Sequence, residues 1–424
     1  MSFESFSLDP RLLQALNEQG YDTATPIQAA AITPILEGQD VLAGAQTGTG
    51  KTAAFALPVL HALLSQHEPT ATATSNKGNV PVLILVPTRE LAQQVHKSCK
   101  KYAKHTPLKA VQVYGGASIG QQIEQVENGV DVLIATPGRL LDLVYKKAVN
   151  LSQLQTLIFD EADRMLDMGF IDEIKAILRR VPEQRQTLMF SATLDDNIFK
   201  LSKTLQNQPK IIEVSVRNTT AENVEQIIYN VDQDQKRGLT AFLIGSKNWQ
   251  QVLVFTRTKQ ACDELASELV KDGLSATSLH GDKSQGARDK ALDDFKNGSL
   301  RVLVATDVAA RGIDIQQLKY VVNYELPYIA EDYIHRIGRT GRAGESGLAI
   351  TLMDRDEEYL LEEIEVLLDQ KLNQQWFPGF EPDFSKERDS HKKNSKTAQK
   401  RRAKQRAFGQ KTGNRRGSSN KSKR

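Results

Sequence analysis

The residues Ala45-Gln46-Thr47-Gly48-Thr49-Gly50-Lys51-Thr52 follow a short apolar run, Val41–Gly44, and open a helical pattern that continues to Leu64. Glycines let the backbone turn tightly, so that successive N–H groups and the helix N-terminus face phosphate oxygens. In such a loop Lys51 reaches the β- and γ-phosphates of a nucleotide, and the Thr52 hydroxyl ligates Mg²⁺. The strict phosphate-loop pattern has Gly where Ala45 stands, so the generic match is one residue short. Further along, Thr156-Leu157-Ile158-Phe159 runs into Asp160-Glu161-Ala162-Asp163. An acid at a strand's carboxyl end is what the second half of an ATPase site needs. Asp160 would hold hydrated Mg²⁺, and Glu161 would orient and polarise the attacking water. Alone, these acids read equally well as a cluster favoured by the dipole of the next helix. Behind a phosphate loop the catalytic reading prevails.

No second phosphate loop occurs after residue 215. Instead, His335-Arg336-Ile337-Gly338-Arg339-Thr340-Gly341-Arg342 puts three arginines and two glycines into eight residues, a composition that makes little sense as core. A solvated basic turn is the plain explanation. The alternative is a cation delivered to the γ-phosphate in the first half, which has Lys51 but no obvious arginine finger. A further set of loops suits a nucleic-acid backbone. Pro87-Thr88-Arg89-Glu90-Leu91, Gly115-Gly116 and Thr136-Pro137-Gly138-Arg139 each follow a predicted strand. Such loops share one edge of an α/β sheet, where ligands bind. Guanidinium, hydroxyl and glycine N–H groups suit phosphate oxygens, and such contacts position without reading sequence. Gln285-Gly286-Ala287-Arg288 extends the same chemistry onto the second half. Singly, each segment is also an ordinary helix cap or turn.

The elements that must hold these groups show as short apolar runs between helix-length segments. In the first half they are Val41–Gly44, Val82–Val86, Val111–Tyr114, Val132–Ala135, Thr156–Phe159, Thr187–Phe190 and Ile211–Val214. In the second they are Ile227–Tyr229, Val252–Phe255, Val302–Ala305, Tyr320–Tyr324 and Leu348–Leu352. Runs of this kind predict an α/β fold of two tandem doubly wound parallel sheets. The expected boundaries are a first domain over 1–214, a linker over 215–223, a second domain over 224–372 and a tail over 373–424. Gln66–Asn79 reads as an exposed loop without assigned function. Trp376–Phe380 would either pack on the second domain or meet a partner, with packing preferred.

Length and composition agree: 424 residues, 40% hydrophobic and 25% charged, exceed one ordinary core. No apolar run approaches the roughly 20 residues that span a bilayer, and no secretory signal is visible at Met1-Ser2-Phe3-Glu4-Ser5. The two cysteines, Cys99 and Cys262, lie far apart in sequence and supply no metal site between them. A cytoplasmic, reducing home is expected, with no membrane. From Ser385 to Arg424 there are 16 Lys+Arg against 2 Asp+Glu, a net of +14. The other 39 basic and 50 acidic residues net −11, so an acidic body carries a basic, mostly disordered arm.

Asp160-Glu161-Ala162-Asp163 spells the motif that names the DEAD-box helicases, and the phosphate loop beginning at Ala45 resembles theirs. Gly20-Tyr21-Asp22-Thr23-Ala24-Thr25-Pro26-Ile27-Gln28 resembles the family's Q motif, with Phe3 as its upstream aromatic and Ala24 where Pro is common. With Pro378-Gly379-Phe380-Glu381-Pro382, the chain looks closest to the bacterial RhlE group. The resemblance covers nearly all of Met1 to about Leu372 and implies tandem RecA-like domains and ATP with Mg²⁺ as cofactor. Chemistry supports the Q motif: a Gln28 amide offers one donor and one acceptor to adenine N6 and N7. Tyr21 would stack on the ring, or else pack in the core.

The resemblance further implies Arg339 and Arg342 as arginine fingers, with His335 and Arg336 in domain coupling. It implies Asp314 at the ribose and Thr306 at RNA. It implies that Ser191-Ala192-Thr193 links the acidic motif, through Asp163, to closure. Pro87, Thr88, Arg89, Gly115, Gly116, Thr136, Pro137, Gly138, Arg139 and Arg288 match the family's RNA-contact motifs. The function implied is RNA-stimulated ATP hydrolysis coupled to local unwinding of short duplexes and remodelling of RNA–protein complexes, without sequence preference. Partners from ribosome assembly or RNA decay would fit. The rival is an ATP-gated RNA clamp or assembly factor that unwinds little; a DNA-translocating helicase is disfavoured by the Q motif and the acid box.

Overall fold

The structure is a computed structural model that describes residues 1–45, 49–66, 78–214, 224–310, 318–341 and 346–385. Gln46, Thr47, Gly48, Asp314, Arg342, residues 67–77, the expected linker 215–223 and the tail from 386 lie outside the described residues.

Among the described residues, fourteen strands form two parallel sheets of seven each. The first holds β1 (Val41–Gly44), β2 (Val82–Leu85), β3 (Ala110–Val113), β4 (Val132–Ala135), β5 (Thr156–Asp160), β6 (Gln186–Ser191) and β7 (Lys210–Glu213). The second holds β8 (Val224–Asn230), β9 (Val252–Thr256), β10 (Ala276–Leu279), β11 (Val302–Thr306), β12 (Tyr320–Asn323), β13 (Gly347–Met353) and β14 (Asn373–Gln375). The spatial orders are β3-β4-β2-β5-β6-β1-β7 and β10-β11-β9-β12-β13-β8-β14. Counted within each sheet, the two orders are identical. The α/β fold of two tandem RecA-like sheets is therefore the observed one.

The inner strands are apolar along their length because helices cover both faces. β1, β2, β4, β5, β9 and β11 are buried at every position. Clusters of buried side chains lie on either face of the first sheet. On the second they divide among three groups. Edge strands differ: β7 buries only Ile212, and β14 buries nothing. No described helix is long and apolar enough to cross a membrane.

The second sheet runs past the expected boundary at Leu372. β14 pairs with β8 through Asn373↔Ile227 and Gln375↔Tyr229. Beyond it, Phe377 packs edge-on against Tyr229 at 5.4 Å and against Phe242 at 5.6 Å between ring centroids. Arg355 Nη2 donates to the Asp383 carbonyl at 2.6 Å, and the Asp383 N–H donates to Asp232 at 3.1 Å. The aromatic segment thus packs on the second half. One compact unit reaches from Met1 to Asp383.

Candidate active site

Within the first sheet, β5, β6 and β1 lie side by side, so the acidic motif, Ser191 and the phosphate loop share one end. Ala45 N–H donates to the Ser191 carbonyl at 2.9 Å, fixing the loop's departure from the sheet. Ala45 is buried there, which its methyl group suits. The helix Lys51–Gln66 begins at Lys51 itself, with Thr52 next. Lys51, Asp160 and Glu161 are all buried, yet Lys51 Nζ, Asp160 Oδ1 and Glu161 Oε2 have no hydrogen-bond partner among the described residues. Buried polar atoms are nearly always paired, so three unpaired ones of both signs mark a place built for a ligand. Burial pushes the Asp160 carboxyl up to about 7, while the Lys51 ammonium pulls it down and Glu161 pushes it further up. Lys51 suits phosphate oxygens, and the carboxylates with Thr52 suit a hard cation. Glu161 takes a left-handed backbone, φ 57°, at the cap of the helix Ala162–Asp167. Non-glycine residues rarely adopt it, and it occurs where surrounding structure enforces it.

Gln28 is the third residue of the helix Pro26–Leu36, and its amide is already engaged at both ends. Its Oε1 accepts from Thr25 N–H at 2.8 Å, and its Nε2 donates to the Gly50 carbonyl at 3.1 Å. An amide carries two donor hydrogens and two acceptor lone pairs, so one of each is left for a base. Gly50 has φ +92°, and a Cβ there would lie 2.3 Å from Gln28 Nε2. Only glycine fits. Tyr21 is 42% exposed and so is not a core residue. Phe3 is different: it packs beside Phe6 at 3% exposure. It anchors the leading segment, whose Met1 carbonyl accepts from Ala24 N–H at 2.9 Å.

Asp163 faces the Ser191-Ala192-Thr193 segment directly. Its Oδ2 accepts from Ala192 N–H at 3.2 Å and from the Thr193 hydroxyl at 3.4 Å. Ser191 Oγ is fully buried and unpaired among the described residues. In the second half, Arg336 is 1% exposed and grips Asp307 bidentately, Nε–Oδ1 2.6 Å and Nη2–Oδ2 2.8 Å. Arg339 is buried two residues beyond the end of the same helix, and its Nε donates to the His335 carbonyl at 3.3 Å.

The other half of each sheet's edge carries the predicted backbone-contact loops. β3, β4 and β2 are neighbours, so Gly115-Gly116, Thr136-Pro137-Gly138-Arg139 and Pro87-Thr88-Arg89 emerge side by side. Thr88 caps the helix Arg89–Tyr102, accepting from Leu91 N–H at 3.3 Å, and Thr136 precedes Pro137 at the start of another helix. Arg139 donates to the Ala117 carbonyl at 3.1 Å and to Gln122 at 3.0 Å, bracing the glycine loop. Gly116 has φ +83°, and a Cβ there would lie 2.2 Å from Arg89 Nη1. Two contacts then cross between the halves. Arg89 Nη1 donates to Gln285 Oε1 at 3.4 Å, and Arg288 Nη2 meets Glu90 Oε1 at 2.7 Å, both side chains buried. Thr306, closing β11, is buried. Neither Glu90 nor Asp307 shows its role in the sequence, because their partners are nearly 200 and about 30 residues away.

A model of the DEAD/DEAH box helicase family matches residues 25–201, and one of the helicase conserved C-terminal domain matches residues 234–344. The chain is 41% identical over 374 residues to the ATP-dependent RNA helicase RhlB of Pseudomonas syringae pv. tomato, covering 88% of this chain and 94% of that one. The chain belongs to the DEAD-box helicases. It is an ATP-dependent RNA helicase and, as such, an ATP-hydrolysing enzyme. It is also 39% identical over 373 residues to the DEAD-box ATP-dependent RNA helicase CshA of Bacillus subtilis, covering 88% of this chain and 74% of that one. The names RhlB and CshA do not single out the RhlE group. Among solved structures, the DEAD-box helicase Mss116 bound to single-stranded RNA and UDP-BeF superposes with a TM-score of 0.78 at 28% identity, covering 90% of this chain and 80% of that one. S. cerevisiae Dbp5 bound to RNA and ADP BeF3 gives 0.77 at 28%, covering 96% and 99%.

Proposed function

We propose that this helicase hydrolyses Mg²⁺-ATP on the first sheet and uses closure of its two halves to separate short RNA duplexes locally. The observation that carries the reading is the trio Lys51 Nζ, Asp160 Oδ1 and Glu161 Oε2, buried and unpaired among the described residues beyond the ends of β1 and β5. Lys51 and the loop from Ala45 through Thr52 hold the phosphates, and Gln28 and Tyr21 hold the adenine. Thr52 and Asp160 hold Mg²⁺, partly through water, and that ion supplies charge neutralisation on the phosphoryl oxygens. Glu161 takes the attacking water's proton. Arg339 and Arg342 supply positive charge from the second half, and Asp314 holds the ribose. Asp163, Ser191, Thr193, His335 and Arg336 transmit closure.

RNA lies along Pro87, Thr88, Arg89, Gly115, Gly116, Thr136, Pro137, Gly138, Arg139 and Thr306, touched through its backbone and therefore without sequence preference. Arg288, spent on Glu90, contributes by holding the two halves of that track in register. The basic tail captures RNA by releasing counterions that the acidic body does not displace. Work in the cytoplasm beside ribosome-assembly or RNA-decay proteins fits this chemistry.

Glu161→Gln keeps the size of the side chain and removes its charge. It retains ATP and RNA binding and loses nearly all turnover; a near-normal RNA-stimulated ATPase in this variant would sink the assignment. A second reading, an ATP-gated clamp that unwinds little, is favoured by the Arg288–Glu90 pair, which bridges the halves without any ligand. Duplex release measured against ATP turnover separates the two.

A further inference from the structure

Gln122 is a buried polar residue for which none of these roles accounts. It lies on the helix Ile119–Glu127, whose inward stripe is Ile119, Gln122, Ile123 and Val126. Residues three and four apart share one side of a helix, and an apolar side chain would fill that place most simply. Burying an amide is costly unless its hydrogen bonds are made. Here both ends are used. Gln122 Nε2 donates to the Tyr114 carbonyl at 3.1 Å, and Oε1 accepts from Arg139 Nη1 at 3.0 Å. The same Nη1 donates to the Ala117 carbonyl at 3.1 Å. The carbonyls on either side of Gly115-Gly116 are thus held by two side chains that are bonded to each other. Tyr114 is held a second time, its hydroxyl accepting from Gln93 Nε2 at 3.0 Å.

A peptide unit is planar and trans, so a carbonyl held inward turns the N–H of the same unit outward. The unit that carries the Tyr114 carbonyl also carries the Gly115 N–H, which has no acceptor among the described residues. Gly115 keeps an ordinary φ, and a Cβ there would meet nothing within 4 Å. The fold itself therefore does not require glycine at this position, whereas a ligand approaching the backbone closely does. We propose that Gln122 is a positioning residue for RNA, which aims the Gly115 N–H at a phosphate oxygen of the strand by holding the Tyr114 carbonyl. Arg139 fixes the far end of the loop, so the Gln122–Arg139 bond also keeps the loops Gly115-Gly116 and Thr136–Arg139 at one spacing. An N–H set before binding spares the cost of ordering the loop, and it reads no base. The inference rests on the RNA track proposed above.

The test is ATPase of the full chain across a series of single-stranded oligoadenylate concentrations. Gln122→Leu keeps the inward stripe filled and leaves the Tyr114 carbonyl unheld. The RNA concentration for half-maximal stimulation rises about 10–100-fold, the weight of one hydrogen bond to a charged group. RNA-free turnover and the KM for ATP stay as they were. A second readout uses oligoadenylates that just fill the track and carry one neutral methylphosphonate in place of a phosphate. The unaltered protein loses affinity when the phosphate facing Gly115 is replaced, and Gln122→Leu is indifferent to that position, a difference that lost packing would not produce. Gln122→Met replaces Gln122→Leu should the latter fail to fold. An unchanged half-maximal concentration, or the same methylphosphonate profile in both proteins, overturns the inference. Gly115→Val, for which the fold has room, separates the two readings. If it weakens RNA stimulation and Gln122→Leu does not, this inference alone fails; if Gly115→Val changes nothing, the reading of the RNA track fails.

Discussion

Lys51 and Lys236 hold the same place in two sheets of the same strand order, and they meet opposite fates. Each is the first residue of the helix that follows its sheet's first strand, β1 or β8. Both are buried, at 6% and 0% exposure. Lys51 Nζ has no partner among the described residues. Lys236 Nζ donates to Glu357 Oε2 at 2.5 Å, and Glu357 also pairs with Arg257 and accepts from Asp354 N–H. The acids correspond as well. Glu161 and Glu325 stand at matching distances past Thr156 and Tyr320, which pair alike with the second strands of their sheets. Glu161 is unpaired at one oxygen, whereas Glu325 accepts from Arg257 N–H at 2.8 Å. The second half fills its own phosphate position with a carboxylate from the short helix Arg355–Glu357; the first leaves it for a ligand. A binding site here is a charge arrangement left unfinished.

The largest effect tests whether the finished half still serves the unfinished one. Arg339→Ala lowers maximal turnover by about 10³–10⁵, the contribution of arginine fingers, with far less change in ATP affinity. A defect confined to RNA affinity would reassign Arg339 to the RNA backbone.

The two lysines themselves come next. Lys236→Met leaves Glu357 with Arg257 and costs about 1–3 kcal/mol of stability, read from denaturant unfolding. Adding Glu357→Leu does not recover it, because Arg257 then loses its carboxylate. Lys51→Met removes a charge with no partner and costs under about 1 kcal/mol, near the ordinary cost of a substitution, while abolishing ATP turnover. Equal stability losses at the two lysines would erase the contrast.

The smallest effect sharpens the boundary of the open site. Gln28 touches the Gly50 carbonyl, so it belongs to the first half's phosphate loop as well as to the base. Gln28→Ala loses about 1–3 kcal/mol of preference for ATP over GTP, the value of one bidentate base contact. If the ratio of kcat/KM for the two nucleotides is unchanged, the adenine is read elsewhere.

Much of this was legible in the chain. The segment from Ala45 to Thr52 contains two glycines before Lys51, whereas Val231-Asp232-Gln233-Asp234-Gln235 before Lys236 contains none. That difference marks which half folds around phosphate, since glycines most readily take the turns that bring successive N–H groups to one point. Twelve strand runs were visible because inner strands, buried on both faces, are apolar throughout. β10 and β14 were not. Ala276-Thr277-Ser278-Leu279 is only partly buried, and Asn373-Gln374-Gln375 is wholly exposed, so neither carries an apolar signature. They are strands because β11 and β8 each offer a backbone edge to pair with.

The amino-acid sequence by itself determined the chemical groups, their order, and which segments must turn tightly or be buried. The tertiary structure decided which charges remain unpaired. The glycines before Lys51 mark a phosphate loop, but nothing local says that Lys236 will meet Glu357, 121 residues on. Nor does sequence separation predict that Glu90 is matched by Arg288, or that Phe3 is buried beside Phe6. Burial strengthens every electrostatic preference by excluding water, and burial is a property of the packed molecule. The residues set what each side chain can do, and the fold, by choosing its neighbours, set which of them are still free to do it.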